Sequence, residues 1–380
     1  MHDTEGMTEA INIKNWKDPT SLRRCRRLLL RWFAANARDL PWRRDCAVYA
    51  VWISEIMLQQ TQVQQALPYY LRFMERFPTV AALAAAPIDA VLKAWEGMGY
   101  YARARNLHRA AGQIMARHGG HFPADAESVR ALAGIGPYTA AAILSIAFNQ
   151  PLAVVDGNVI RVLSRLHAWP GDAKTTSGKK EIQERAQSLL DPAAPGAFNE
   201  AMMELGALIC TPQNPLCTAC PLAACCQALA QGAPEKFPVK SAKKLRPHYQ
   251  IAAGLIWKKE KLLIVRRPES GLLGGLWELP GGKQEAGEVL EATVAREAAK
   301  KLGIKIKVGS FFSRVDHAYT HFSITLHVYH CRHLKGTPYP HEHSDWRWVS
   351  IAELDDYAFS RSNRRIIEQL PAGAYNPSGL

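Results

Sequence analysis

Five of the chain's eight cysteines fall between residues 210 and 226, and this crowding restricts the possible folds more tightly than any other local feature. Cys210, Cys217, Cys220 and Cys226 are spaced C-x6-C-x2-C-x5-C, with Cys225 as a fifth thiol beside the last. Four thiolates so closely spaced can hold a tetrahedral zinc or a [4Fe–4S] cluster. A zinc ribbon usually pairs two CxxC knuckles across a longer loop, and only one CxxC occurs here. A secreted disulfide scaffold is smaller and spreads its cysteines, so the crowding points to a metal site in a reducing compartment. Cys225 competes with Cys226 for the fourth place. No Lys or Arg lies between 210 and 226.

A chain of 380 residues has room for two or three domains at roughly 100–200 residues each. Its character changes near residue 235. Upstream, Trp52, Ile53, Ile56, Met57, Gln60, Val63 and Leu67 follow one helical face, and 79–95, 101–117, 138–148, 179–190 and 196–209 also read as helices. Residues 232–248 carry Gly232, Pro234, Pro238 and Pro247 among Lys236, Lys240, Lys243, Lys244 and Arg246, the composition of an exposed linker. Downstream, strand patterns at 249–257, 262–266, 306–315, 322–331 and 345–349 are interrupted by helices near 289–302 and 361–369. The expected architecture is multidomain: an all-α domain over 20–231, a basic linker over 232–248, and a smaller α+β domain over 249–370.

Lys and Arg total 47 against 34 for Asp and Glu, a formal charge of +13 that calls for a polyanionic partner, nucleic acid or an acidic membrane. Asp3, Glu5 and Glu9 leave the first residues without the apolar core of a signal peptide. The uncharged run from Ala131 to Val155 is broken by Gly134, Gly136 and Pro137 and again by Asn149, Gln150 and Pro151. What remains, 138–148, is shorter than the ~20 helical residues needed to cross a bilayer. A cytoplasmic location, with no membrane partner, is the expectation.

The segment Leu132-Ala133-Gly134-Ile135-Gly136-Pro137-Tyr138-Thr139-Ala140 lies between two helical stretches. Paired glycines permit a tight turn with unusual φ, so Gly134 and Gly136 can aim backbone N–H groups, with the next helix N-terminus, at a phosphate. Such contacts position a protein on DNA without reading sequence. An ordinary helix connection would look the same. Asp156 follows, opening Asp156-Gly157-Asn158-Val159. It could simply be a helix N-cap. Hairpin, apolar helix and then Asp also resembles the helix-hairpin-helix DNA glycosylases, in which that Asp is catalytic.

The family narrows upstream. Trp52-Ile53-Ser54-Glu55-Ile56-Met57-Leu58-Gln59-Gln60-Thr61 resembles the catalytic helix of the MutY-type adenine DNA glycosylases. Gly97-Met98-Gly99-Tyr100-Tyr101-Ala102-Arg103-Ala104-Arg105-Asn106-Leu107, Asn199-Glu200-Ala201-Met202-Met203-Glu204-Leu205-Gly206-Ala207 and the cysteine loop match in the same order. The resemblance covers roughly residues 20–230 and selects a [4Fe–4S] cluster on Cys210, Cys217, Cys220 and Cys226 over zinc. The substrate it implies is double-stranded DNA with adenine opposite 8-oxoguanine or guanine, acted on by a monomer.

Cleaving an N-glycosidic bond leaves an oxocarbenium-like sugar and a base that must be protonated, which is work for two carboxyl groups. The resemblance gives Glu55 the acid role and the later activation of water, and puts Asp156 beneath the sugar. Tyr138 and Asn158 match positions that hydrogen-bond around that Asp, and Glu200 matches one that recognises the flipped adenine. Without the resemblance, Glu55 would read as a solvated helix carboxylate. Gln60 and Tyr100 match positions that wedge into the duplex, and Thr61 matches a contact near the opposing lesion. Tyr100 could instead pack on its own helix; with Arg103, Arg105, Arg109 and Arg117 it suggests a DNA-facing surface. Related enzymes of the endonuclease III branch carry a Lys near position 138, and a Tyr cannot form their Schiff base. A monofunctional glycosylase that leaves an abasic site is therefore expected.

Downstream, Gly282, Glu288, Arg296, Glu297, Gly303 and Ile304 fit the Nudix frame G-x5-E-x7-R-E-U-x-E-E-x-G-U, and Leu276-Trp277-Glu278-Leu279-Pro280-Gly281-Gly282 resembles the same fold. Lys300 and Lys301 stand where the frame has paired metal-binding glutamates, and ammonium groups cannot serve as hard oxygen ligands. The resemblance implies a lesion-reading module rather than a hydrolase. Tyr319-Thr320-His321 stands at the family's Phe-Ser-His lesion-reading loop, and Thr keeps the hydroxyl. As a bare pattern, 317–322 is a hairpin turn. The rival readings are an endonuclease III-like lyase on oxidised pyrimidines, a catalytically silent lesion binder, and an active Nudix hydrolase.

Overall fold

A computed structural model of the chain describes residues 18–239, 246–339 and 341–371. Asp3, Glu5 and Glu9, and Lys240, Lys243 and Lys244 of the linker, lie outside the described residues. The chain gathers into two compact units that do not follow its linear order. One unit takes Met1–Gln59 and Gln113–Lys243, and the other takes Gln60–Gly112 and Lys244–Leu380.

The first unit is helical. Its helices include Pro19–Asn36, Val48–Leu58, Pro137–Phe148, Gly157–Leu166, Thr176–Leu189 and Pro195–Leu208. Asp18, Asp156 and Thr175 cap their helices by accepting from Ser21 N, Val159 N and Gly178 N, which satisfies donors left over in the first turn. The core gathers Leu29, Val159, Val162, Leu163, Ile182, Phe198 and Leu205, with Cys25 and Cys225 among them. A Cβ on Gly206 would fall 2.5 Å from Asn158 Cβ, so glycine lets the Pro195–Leu208 helix approach the start of Gly157–Leu166. The Val48–Leu58 helix is buried from Ala50 to Met57, and this draws the carboxylate of Glu55 out of water.

Two helix expectations need correction. The single face through Trp52 and Leu67 breaks at the polar run Gln59-Gln60-Thr61-Gln62. The first helix ends at Leu58, Gln60 takes φ +57°, and a second helix runs over Val63–Arg76. The 79–95 helix is two short ones, Val80–Ala85 and Ile88–Ala94, separated by Ala86-Pro87. Pro87 drives Ala86 to ψ 143°, outside the helical region, and supplies no N–H.

The second unit joins the 60–112 helical segment to a mixed seven-stranded sheet. Its strands are β1 (His248–Lys258), β2 (Lys261–Arg266), β3 (Trp277–Glu278), β4 (Gly281–Lys283), β5 (Lys305–Ala318), β6 (Ser323–Lys335) and β7 (Asp345–Val349). The sheet order is β3-β2-β1-β6-β5, with β4 on β1 and β7 on β2, and only β1 and β6 run parallel. The helix Leu290–Leu302 covers one face through Val294, Ala298 and Leu302, and Phe359, Ile366 and Ile367 cover the other. Within this unit, Asp89 pairs with Arg266 (2.6 Å), and Glu96 accepts from Arg364 Nε (2.9 Å) and Phe359 N (3.0 Å). The strands expected at 306–315 and 322–331 are the longer β5 and β6, joined by a turn at 319–322. Among the described residues no helix is long and apolar enough to cross a membrane.

Candidate active site

Glu55 is 6% exposed, on the third turn of an apolar helix. Burial is the main reason its carboxyl is pushed up to about 7, and the nearby charges of Asp156 and Glu200 add to the shift. The Tyr138 hydroxyl opposes it by donating to Glu55 Oε2 at 3.0 Å, with Arg43 acting in the same direction. Tyr138 reaches Glu55 because it sits one residue inside the helix that begins at Pro137. Its own phenol is held well above its usual range, chiefly by burial and next by the Glu55 charge, so it stays a hydrogen-bond donor.

Asp156, a predicted site residue, is the N-cap of the Gly157–Leu166 helix. Its Oδ1 accepts from Val159 N (2.7 Å) and its Oδ2 from Asn158 Nδ2 (2.8 Å). Burial raises its carboxyl, and these hydrogen bonds pull the other way. Asn158 Oδ1 accepts from Arg161 Nη2 (2.8 Å), and Arg161 continues to the carbonyls of Gly206 (2.7 Å) and Cys210 (2.6 Å). A bonded path thus runs from the aspartate to the first cysteine of the loop.

Glu200 lies in the same unit, with Oε1 accepting from Arg43 Nε at 2.8 Å. Arg43 also reaches Glu204 Oε2 (3.1 Å), and Arg38 grips both oxygens of Glu204 (2.8 and 2.6 Å). These partners hold the Glu204 carboxyl down at about 2 against the penalty of burial. Glu200, with one guanidinium contact, is pushed up by burial instead. Sequence reasoning missed Arg38, Arg43 and Glu204. The only signal was a basic run after Pro41-Trp42, and nothing in the spacing ties it to a glutamate 157 positions away.

In the glycine hairpin, Gly134 takes φ +77°, which favours glycine. Gly136 does not share that unusual φ: it is the extended N-cap of the Pro137–Phe148 helix at φ −89° and ψ 177°. Only one of the paired glycines makes the turn, because Gly136 already starts the helix.

Cys210, Cys217, Cys220 and Cys226 line one cavity together with Val162, Arg165 and Leu205. Cys225 does not: it is 3% exposed, points into the helical core, and its Sγ lies 3.1 Å from that of Cys25. The two adjacent cysteines are separated by side-chain direction. Among the described residues no three His, Cys, Asp or Glu side chains converge tightly enough to hold a single ion.

The second unit holds the remaining predicted residues. Gln60 (φ +57°) and Tyr100 (φ +50°) both adopt left-handed backbone, which is uncommon outside glycine and tends to mark functional sites. Tyr100 is 42% exposed, and its hydroxyl hydrogen-bonds Thr320 Oγ1. Thr320 and His321 are exposed in the β5–β6 turn, where Tyr319 stacks on Phe322 with ring centroids 4.8 Å apart. Arg103 lies 5.3 Å from the ring centres of both Tyr100 and Trp95, and donates to Thr61 Oγ1 (3.3 Å) and Gly99 O (3.1 Å). Arg103 is buried, which pulls its guanidinium down to about 10, and Arg105 turns to the Gly274 carbonyl. The exposed arginines of the expected basic stretch are therefore Arg109 and Arg117, because the first two turn to part-buried acceptors within the unit.

The Nudix-like residues also meet. Glu288 accepts from Arg296 (2.8 Å) and Thr293 (2.6 Å), and a Cβ on Gly282 would overlap Glu297. Lys301 Nζ sits between Glu297 Oε2 (2.8 Å) and the Gly281 carbonyl (2.9 Å), an ammonium held where oxygens converge. Lys300 pairs with Glu342 (3.3 Å).

Residues 53–192 match the family model of the HhH-GPD superfamily of base excision DNA repair proteins, and 252–369 match that of the NUDIX domain. The chain is 35% identical to the adenine DNA glycosylase of Homo sapiens over 408 aligned positions, covering 92% of this chain and 74% of that protein. It is equally identical to the adenine DNA glycosylase of Rattus norvegicus, covering 90% and 77%. Among solved structures, a thermostable thymine-DNA glycosylase aligns over 56% of this chain and 100% of its own at 27% identity and a TM-score of 0.51.

Proposed function

We propose a catalytic division of labour for this chain, which belongs to the adenine DNA glycosylase family. It is a base-excision-repair enzyme that acts on DNA and hydrolyses the N-glycosyl bond of adenine. Glu55 is the general acid. It enters the reaction protonated and gives its proton to the ring of the departing adenine as the bond to the sugar breaks and the electron pair leaves with the base. Asp156 stays ionised and faces the cationic sugar, while Asn158 and Val159 N fix its oxygens. Glu55, now a carboxylate, takes a proton from the water that attacks the sugar carbon, which restores the acid and leaves an abasic site. Tyr138 holds Glu55 by its hydroxyl and cannot form a Schiff base, so the strand stays intact.

The observation that carries this reading is a pair of carboxyl groups, buried Glu55 and half-buried Asp156, with different hydrogen-bond partners. Glu55 is desolvated beside other acids, and its carboxyl is raised to about 7. Burial raises Asp156 as well, but Val159 N and Asn158 Nδ2 donate to its oxygens and Arg161 lies near, all favouring its charged form. Such a contrast sorts an acid from a charge stabiliser. Glu200, oriented by Arg43, receives the extruded adenine. Gln60 and Tyr100 fill the gap in the duplex, Thr61 stands near the opposite base, and Tyr319, Thr320 and His321 read that base. That opposite base is 8-oxoguanine or guanine. Gly134 and Gly136 hold backbone phosphate near the hairpin.

Cys210, Cys217, Cys220 and Cys226 would hold a [4Fe–4S] cluster. All four line one cavity, and four thiols on one lining are the donor set such a cluster takes. Bound there, the cluster would cross-link the loop through four thiolates. The decisive assay is a single turnover on a duplex with adenine opposite 8-oxoguanine, quenched with and without hot alkali. Breaks that need alkali are the expected result. Breaks without alkali would overturn the monofunctional mechanism, and tight binding with no breaks at all would overturn catalysis itself.

A further inference from the structure

Arg165 is 2% exposed, on the Gly157–Leu166 helix, and its guanidinium faces the cavity that the four thiols line. It donates to the carbonyls of Thr211 (2.7 Å), Pro212 (3.2 Å) and Phe237 (3.1 Å) and to Cys210 Sγ (3.4 Å). Cys226 Sγ in turn donates to the Arg165 carbonyl at 3.4 Å. Among the described residues no carboxylate pairs with Arg165, whereas the half-buried Arg38 and Arg43 both do pair with acids. A permanent cation this deep is costly unless an anion answers it. Carbonyl dipoles orient a guanidinium but carry no net charge. The groups at hand that can become anionic are the thiols themselves, and four thiolates around a cluster carry net negative charge.

We propose that Arg165 is the internal counter-ion of the four-thiolate site, so that its charge and the loaded cluster stabilise one another. The proposal rests on the cluster reading above. In the loaded protein the guanidinium offsets the thiolate charge and directs one donor at Cys210. Arg165 is thus a positioning residue for the cluster.

The test uses the full chain purified without oxygen, as wild type, Arg165→Gln, Arg165→Lys and the exposed control Arg31→Gln. Iron content, iron release to a chelator, the reduction potential of the cluster, and Tm with and without iron are measured. Arg165→Gln, which keeps donors but loses charge, is expected to release iron at least tenfold faster and to shift the potential to more negative values. It should lower Tm in the loaded form only. Arg165→Lys, which keeps charge but loses the planar fork, should hold the wild-type potential. Equal losses in the Gln and Lys variants would assign Arg165 to loop packing and overturn the proposal, as would wild-type iron release in the Gln variant. If the Gln variant does not accumulate, the Lys variant decides alone, since a fall in its potential overturns the proposal. Wild-type protein without iron would sink the cluster reading itself, a separate outcome from failure of the Arg165 role.

Discussion

The Tyr138 hydroxyl donates to Glu55 Oε2 at 3.0 Å across 83 positions of sequence, and it is the hydrogen bond that moderates the raised carboxyl. Replacing Tyr138 with Phe removes a bond that favours the charged form. The Glu55 titration then moves upward, by about one pH unit for a hydrogen bond of this kind. A pH–rate profile under single-turnover conditions reads this directly. An unmoved basic limb would show that the hydroxyl does not tune Glu55.

Activity should itself be bell-shaped in pH. Glu55 must hold its proton, so the rate falls as pH rises through about 7. Asp156 must be ionised, so the rate also falls on the acid side, at a pH lifted by burial of that carboxyl. A profile flat from pH 5 to 9 would contradict this assignment.

Glu55→Gln should end turnover and yet stabilise the fold at alkaline pH. The raised folded value means that the native state binds the proton more tightly than the unfolded state does. The carboxyl's favourable contribution is complete below 4.5 and is lost as pH climbs to about 7. Above that, the wild type bears a buried charge costing on the order of 2–3 kcal/mol, which the amide avoids while still accepting from Tyr138. Thermal melts at pH 5 and pH 8 should show the gain at pH 8 alone.

Arg43→Gln leaves Glu200 and Glu204 without a shared cation. Breaking a largely buried ion pair costs about 3 kcal/mol, and weaker adenine binding should accompany it. Urea melts and the concentration dependence of the single-turnover rate separate the two effects. Unchanged stability would mean that Arg38 alone is enough for Glu204.

Thr320→Val removes the hydroxyl that meets Tyr100. If this contact couples Tyr100 to the β5–β6 turn, the relative affinity for adenine opposite 8-oxoguanine and adenine opposite guanine should shift by about tenfold, or ~1.4 kcal/mol. Binding to undamaged duplex should not change. Competition binding with the two mispairs provides the measurement.

Cys225→Ser and Cys226→Ser test the cysteine loop. The first touches a thiol packed against Cys25, and the second one that lines the cavity. Iron should survive the first change and be lost with the second. Loss of iron in both variants would reopen the choice of fourth ligand.

Local order carried the fold class. Hydrophobic period, the linker composition and the cysteine spacing gave a helical part followed by a mixed sheet, because periodicity and turn chemistry are properties of neighbouring residues. The helix boundaries at Gln60 and Pro87 were the local misreadings. At Gln60 an unbroken apolar period hid a left-handed turn, and at Pro87 the breaker itself was in view.

What the sequence could not contain is the environment of each group. Glu55 is a desolvated, raised carboxyl rather than a solvated one because its helix is buried around it, and Cys225 is excluded from the cavity because its side chain turns towards Cys25. Arg43 meets Glu200 over a separation of 157 positions, and the 60–112 segment groups with the C-terminal sheet across more than a hundred intervening residues. Residue identities and spacings determined which chemical groups were available and roughly which elements carry them. Desolvation, side-chain direction and long-range pairing decided their charge and their partners, since these depend on what the folded chain brings within a few ångströms.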